Sequence, residues 1–279
     1  MTVQQGQILQ YYNAQIEQGV LSDDVAQRNA ITALDSLAFE LTAPTPFWKR
    51  RKPIKGLYLH GPVGRGKSML MDVFFHHVDI EAKVRLHFHH FMKQVHARLG
   101  ELQGQKNPLS VIAKEWATRI KLLCFDEFFV SDIGDAMILA GLFEALFEHQ
   151  VVLVATSNCQ PERLYWNGLQ RARFLPTIDL LQQHCCVMSV AGETDHRLRF
   201  GKQNKHFVIN NDEAIKERFY AQEQAITEHQ AITVHNRHIC YVLKAKEAIM
   251  FDFMALCSGA RSTADYIYLA EQFKRVYLL

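Results

Sequence analysis

The chain has 279 residues, 48% of them hydrophobic and 22% charged, enough to bury one large core and a second, smaller one. A formal net charge of +2 is too small an asymmetry to imply DNA, RNA or an anionic membrane, so nucleic acid is not an expected partner. No apolar run approaches the roughly 20 residues of a membrane helix, and residues 1–10 lack the basic and apolar regions of a signal peptide, which together predict a cytoplasmic chain.

Residues 7–41 read as helical: Leu9, Tyr12, Ile16, Leu21, Val25, Ile31, Leu34 and Leu37 recur about one turn apart, Gly19 marks a break, and Ser22 or Asp23 offers a cap. Pro44, Pro46 and Pro53 then mark a linker. Its Lys49, Arg50, Arg51, Lys52 and Lys55 read either as a solvated stretch or as a surface for an acidic or phosphate-bearing partner. From Gly56 onward strand and helix signals alternate. Strands are predicted at 56–60, 84–88, 121–125, 151–156 and 185–190, and helices at 69–77, 91–102, 133–147 and 175–183. Such alternation predicts a parallel sheet with covering helices. After about residue 192 the character changes to short strand-like pieces at 198–200, 231–234 and 238–244, with a polar helix-like segment at 213–228. Helical rhythm resumes at 251–257 and 264–273, and 276–279 reads as a strand. The six cysteines, with Cys124 in an apolar run and Cys185 beside Cys186, fit neither a disulfide framework nor paired CxxC metal spacing. They read as small buried hydrophobes in a reducing compartment.

Gly61-Pro62-Val63-Gly64-Arg65-Gly66-Lys67-Ser68 matches the phosphate-loop pattern GxxxxGK[ST] throughout, with a strand before it and a helix from Ser68 after it. Glycines let backbone N–H groups and a helix N-terminus converge on an anion. Lys67 is expected to reach the β and γ phosphates and Ser68 to give Mg²⁺ an oxygen, the nucleotide-contacting stretch running from Gly61 through Met69. The alternative, a glycine-rich turn, does not explain the flanks. A phosphate loop also calls for an acidic residue ending a second strand, and Asp126-Glu127 stands there: Asp126 to hold Mg²⁺, Glu127 to orient and deprotonate water. Alone, that pair would read as a helix cap or surface turn. The glutamate favours hydrolysis over transfer to a small substrate. Asn158, past the end of the 151–156 strand, fits a sensor of the γ phosphate or of the water; otherwise it is a turn former before Pro161.

Arg171 and Arg173 follow among apolar residues. Either guanidinium could neutralise charge on the transferring phosphoryl group of a neighbouring subunit, with a slight preference for Arg171, or the pair could be a salt-bridged helix start. Tyr165 and Trp166 beside them suit a subunit contact or local core. His87 and His89 would share one face of an extended segment near His90 and His96, open to metal, partner and structural readings; no acidic residue or cysteine adjoins them in sequence. Phe88, Phe91 and Met92 read as core or interface packing, and His76-His77 as complements to a helix C-terminus.

With these motifs in place the chain resembles the ZapE family, bacterial relatives of the mitochondrial Afg-one-like AAA+ ATPases. The resemblance rests on Asp24-Val-Ala-Gln27, the stretch 61–72, His87-Phe-His-His-Phe-Met92 with His96, Cys124-Phe-Asp-Glu-Phe128 and Asp132-Ile-Gly-Asp-Ala-Met137. It continues in Thr156-Ser-Asn158, Leu164-Tyr165, Asn167-Gly-Leu-Gln-Arg171, Arg173-Phe-Leu-Pro176, Phe251-Asp-Phe253, Leu256-Cys257 and Asp265-Tyr266, spanning nearly the whole chain. It implies an ATPase of bacterial cell division acting on the tubulin-like polymer of the division ring, placed in the cytoplasm with a peripheral position at the inner membrane as a further expectation. Mitochondrial relatives are tied to turnover of membrane-complex subunits.

The expected fold is α/β: a P-loop NTPase of the AAA+ type. Its expected parts are an N-terminal helical region and linker (1–52), the ATPase core (53–192), a small β-containing insertion (193–245), and a C-terminal helical part with a closing core strand (246–279). Family members continue past the position of Leu279 into a helical lid with paired arginines, and His196 stands where the family usually has tyrosine. Three functions are therefore carried forward: Mg²⁺-dependent ATP hydrolysis coupled to protein remodelling in a homo-oligomer with shared sites, a helicase-loader-like ATPase, and a nucleotide-binding scaffold with weak turnover.

Overall fold

Short runs of Leu, Val and Phe bounded by polar residues need cover on both faces, and a parallel sheet between helices provides it. A computed structural model, describing residues 6–44, 53–191, 212–258 and 263–279, has that architecture. The chain divides into two units, Met1–Gly201 and Lys202–Leu279.

The first unit runs α1 (Gln7–Glu17), α2 (Val25–Thr42), β1 (Gly56–His60), α3 (Lys67–His77), β2 (Lys83–His87), α4 (Phe88–Glu101), α5 (Pro108–Ala117), β3 (Leu122–Asp126), α6 (Ile133–Glu148), β4 (Val152–Ser157), α7 (Leu175–His184) and β5 (Cys185–Ser189). Its five strands lie in the order β2-β3-β4-β1-β5, every neighbouring pair parallel. Alternate residues of β1, β3 and β4 feed opposite cores. Tyr58, Leu123, Phe125, Leu153 and Ala155 pack with α4, α5, α6 and α7. Leu57, Leu59, Leu122, Cys124, Val152 and Val154 pack with α1, α2 and α3. This is the α/β P-loop arrangement expected.

Because the strands are parallel, the residues that follow β1, β3 and β4 emerge along one edge, where ligands of open α/β sheets bind.

Several expectations change in detail. Asp24, not Ser22 or Asp23, caps α2, its carboxylate accepting from the Gln27 N–H at 3.0 Å. Helices α1 and α2 share the core of β1 and α3, so residue 52 marks no boundary between units. α5 is an element the strand–helix reading passed over. Of the cysteines only Cys124 and Cys185 are buried; Cys159 is half-buried, and Cys186, Cys240 and Cys257 are exposed, all as free thiols.

The second unit holds α8 (Asp212–Gln222), β6 (Thr227–Glu228), β7 (Ala231–Val234), β8 (Arg237–Cys240), β9 (Leu243–Lys244), β10 (Ala248–Phe251), α9 (Phe253–Cys257), α10 (Thr263–Gln272) and β11 (Arg275–Leu278). A sheet of order β11-β10-β9-β6 forms around β10, whose residues are all buried, and β7 pairs with β8 across the turn His235-Asn236. Ile249 and Phe251 face one small core; Ala248 and Met250 face the other, with Phe219 of α8. The final strand therefore does not close the ATPase sheet: β11 pairs in parallel with β10. An apolar tetrapeptide announces a strand but not its neighbour, and residues 246–279 form one sheet with the 212–245 segment instead of a separate part. Residues 45–52, with Lys49 to Lys52, and the 198–200 strand with His196 lie outside the described residues.

Candidate functional site

The loop after β1 turns through glycines in left-handed backbone, Gly64 at φ 83° and Gly66 at φ 82°. A Cβ on Gly66 would also sit 2.8 Å from Nε2 of Gln27, so the loop needs this residue on both counts. Gly66 caps α3 without a side chain, which leaves the first N–H groups of α3 unclaimed by any cap. Gln27, 2% exposed on α2, braces the loop from behind. Its Nε2 donates to the Arg65 carbonyl at 3.1 Å while its Oε1 accepts from the Tyr12 hydroxyl at 3.1 Å.

Lys67 is 8% exposed and donates to the Gly61 carbonyl at 2.7 Å and the Pro62 carbonyl at 2.8 Å. Burial pushes its ammonium below the usual lysine range, and the Glu127 charge works against that shift. A buried ammonium turned onto two carbonyls can exchange them for anionic oxygens.

The ends of β3 and β4 are tied together past the sheet. Thr156 Oγ1 accepts from the Glu127 N–H at 3.2 Å, the Thr156 carbonyl accepts from Phe128 N–H at 2.7 Å, and Ser157 Oγ donates to the Phe128 carbonyl at 2.8 Å. These bonds set Glu127 beside Asn158, and both line one cavity of about 450 Å³ with Val63, Gly64, Arg65, Lys67, Ser68 and Met69. Gly61, Pro62 and Asp126 are not in that wall. Asp126 is 7% exposed and its carboxylate is held by Arg85, which donates from Nε to Oδ2 at 2.6 Å and from Nη2 to Oδ1 at 3.2 Å. Arg85 also bonds Asp72.

The fit to a magnesium nucleotide can be judged from these atoms. The cavity is walled by the glycine loop and an uncapped helix start, and Arg65 on its wall has Nε and Nη1 buried with no hydrogen-bond partner among the described residues. Cationic and N–H donors facing one cavity suit polyphosphate. Oxygen donors Ser68 and Asp126 suit Mg²⁺, a hard cation. The residues present fit both groups.

Arg171 and Arg173 sit on a 3-10 turn, Arg171–Arg173, and neither lines the cavity. Arg171 donates to the Glu162 carbonyl at 2.6 Å and lies over the Trp166 ring at 5.1 Å, whereas Arg173 is exposed. Tyr165 is buried against Phe174, a core role, and Trp166 is 66% exposed. The histidines separate. His87 ends β2, His89 and His90 belong to α4, and His96 bonds Asp135 of α6 at 2.6 Å. The shared extended face does not form because the helix begins at Phe88, and an acidic partner does adjoin His96 in space. No cluster of three or more metal-ligating side chains occurs among the described residues. His76 and His77 turn Nδ1 onto the carbonyls of Asp72 and Val73, each 2.7 Å away, one turn back in their helix.

The sequence reading missed Arg85, Asp72 and Thr156 as members of the site. Arg85 is one charge amid the apolar residues of a strand, and nothing in its spacing names Asp126.

A family described as AFG1-like ATPase matches residues 7–279. "Cell division protein ZapE" of Escherichia coli (strain K12) is 41% identical over 294 aligned positions, covering 96% of this chain and 78% of that protein. "Lactation elevated protein 1 homolog B" of Danio rerio is 36% identical, covering 81% of this chain and 49% of that protein. Among solved structures, AMPPCP-bound DnaA from Aquifex aeolicus aligns at TM-score 0.46 and 13% identity, covering 72% of this chain and 53% of that one, too distant to bear on site or activity.

Proposed function

This chain belongs to the AFG1-like ATPase family and is an ATP-hydrolysing enzyme of the AAA+ type, and from that premise we propose that Lys67, Ser68, Asp126, Glu127 and Asn158 carry a Mg²⁺-dependent hydrolysis coupled to remodelling of a protein. The observation that carries the site is the convergence of the glycine loop, Glu127 and Asn158 on one cavity.

Backbone N–H groups of residues 63–68, which line the cavity, and of the start of α3 cradle the phosphates, with Gly61 and Pro62 shaping the turn before them and Met69 closing the stretch. Lys67 trades its two carbonyl partners for β and γ phosphate oxygens. Ser68 and Asp126 would hold Mg²⁺, which would supply neutralisation of phosphate charge. Glu127 takes a proton from water as the water oxygen bonds the γ phosphorus and the bond to the β–γ bridging oxygen breaks, giving ADP and inorganic phosphate. Asn158 orients the water or the γ phosphate. Arg171 and Arg173 act on the site of a neighbouring copy in a homo-oligomer.

The client we propose is the tubulin-like division polymer, on the strength of the relative whose name is cell division protein ZapE. Its working place is the cytoplasm, with peripheral attachment at the inner membrane; among the described residues no helix is long and apolar enough to cross a membrane.

Steady-state phosphate release tests the site. Lys67→Ala is expected to lose nucleotide binding and turnover together. Glu127→Gln should keep nucleotide affinity and lose turnover about 10²-fold or more. Wild-type rates in Glu127→Gln would remove Glu127 as the base.

A further inference from the structure

Arg85 is a charged residue between Val84 and Leu86 on β2, level in register with Cys124 and thus two residues short of Asp126 on the adjoining strand. Its side chain is 18% exposed and that of Asp126 is 10% exposed. The guanidinium meets the Asp126 carboxylate side-on, one nitrogen to each oxygen. A planar fork of this kind fixes a carboxylate in one orientation, which the point charge of a lysine does not. The remaining arm of Arg85 bonds Asp72.

Asp72 matters for where it stands. It lies four residues after Ser68 on α3, one turn along the same helix face. One guanidinium therefore ties the strand carrying Asp126 to the helix carrying Ser68. Two carboxylates around one guanidinium leave the cluster net negative. Each Asp126 oxygen, having accepted one N–H, still has a lone pair for a cation or its hydration. Asp72 holds the guanidinium from the far side, so Arg85 can stay in place when the site fills.

We propose that Arg85 is a positioning residue for the magnesium site, orienting the Asp126 carboxylate and, through Asp72, setting its spacing from Ser68. The inference rests on the reading of Ser68 and Asp126 as the pair that holds Mg²⁺. It makes the Asp72–Arg85–Asp126 cluster a determinant of how much Mg²⁺ the enzyme needs. An arginine that merely filled an empty metal site would do the opposite, since removing it would ease Mg²⁺ entry.

Binding of a fluorescent ATP analogue to the full chain, titrated with Mg²⁺ and repeated in EDTA, tests this without relying on turnover. Arg85→Gln is expected to raise the half-saturating Mg²⁺ concentration about tenfold or more while leaving analogue affinity in EDTA unchanged. Arg85→Lys should fall between Arg85→Gln and wild type, and Asp72→Asn should shift the same way by a smaller factor. Asp72→Asn decides the matter if Arg85→Gln does not fold, as judged by its melting curve. Asp126→Asn is the control. If Asp126→Asn raises the Mg²⁺ requirement but neither Arg85→Gln nor Asp72→Asn does, or if either lowers it, Arg85 has no positioning role and the site assignment survives. If Asp126→Asn leaves the requirement unchanged, the metal assignment itself fails and the inference with it.

Discussion

Glu127 takes a left-handed backbone at φ 52°, a region that side chains of its shape rarely occupy. Its N–H is pinned to Thr156 Oγ1, so the tie between β3 and β4 enforces the conformation. Strain of this sort accumulates where a side chain must be aimed at chemistry. Glu127→Gly is accordingly expected to stabilise the chain by about 1 kcal/mol while abolishing hydrolysis. Denaturant melts of the nucleotide-free proteins check the first part; a Glu127→Gly protein less stable than wild type would mean that the backbone is unstrained. At this scale the sequence was most readable where chemistry dictates spacing. The phosphate loop, Asp126-Glu127 and Asn158 all announce themselves by position relative to strands. Arg85 does not, because its partners are 13 and 41 residues away: the parallel register of β2 and β3 brings Asp126 to it, and the packing of α3 brings Asp72.

The helices before the phosphate loop bear on it through one buried side chain. Gln27 links Tyr12 of α1 to the Arg65 carbonyl, and both of its amide atoms are used. Gln27→Ala strands a buried hydroxyl and a loop carbonyl, a loss of about 1–3 kcal/mol. The loop then arrives less organised for phosphate, and about 1 kcal/mol of lost preorganisation weakens ATP binding roughly fivefold. Calorimetric titration with an ATP analogue, beside a melting curve, reads both effects. Unchanged affinity in a destabilised variant would confine Gln27 to packing. Elements themselves were legible where periodicity was long and flanks were marked, as in α2, α3 and α6. Ambiguity came where an apolar run had no period: the helical rhythm expected over 251–257 begins only at Phe253, after Asp252 caps it by accepting from the Met254 N–H at 2.8 Å, and Phe251 instead ends the strand Ala248–Phe251. The helix Pro108–Ala117 carries both signals, a proline in its first turn and Leu109, Ile112, Ala113 and Trp116 on one face, within a stretch too short to show a long period.

Every residue proposed for catalysis lies in the first of the two units, yet the arginines do not line the cavity of their own chain. Sequence spacing could not show that separation, since Arg171 and Arg173 follow Asn158 by a short loop and could have folded back toward it. In place, Arg171 is engaged by Glu162 and Trp166 on its own chain, while Arg173 points to solvent. An arginine outside its own cavity reaches phosphate only if another copy brings a nucleotide to it, and heterologous head-to-tail contacts in a closed ring do so at every interface. The prediction is a complementation. Glu127→Gln supplies intact arginines without a base, and Arg173→Ala supplies an intact base without the arginine. Alone, each should be nearly inactive, the arginine variant by about 10³-fold. Mixed in equal amounts and allowed to exchange subunits, about a quarter of the interfaces pair a good base with a good arginine, so phosphate release should recover to roughly that fraction of wild type. The single variants, compared unmixed, tell which guanidinium crosses the interface: replacing the crossing arginine costs the full factor of about 10³, and replacing one that only braces the turn costs less. A mixture no faster than the average of its two components would remove the shared site altogether.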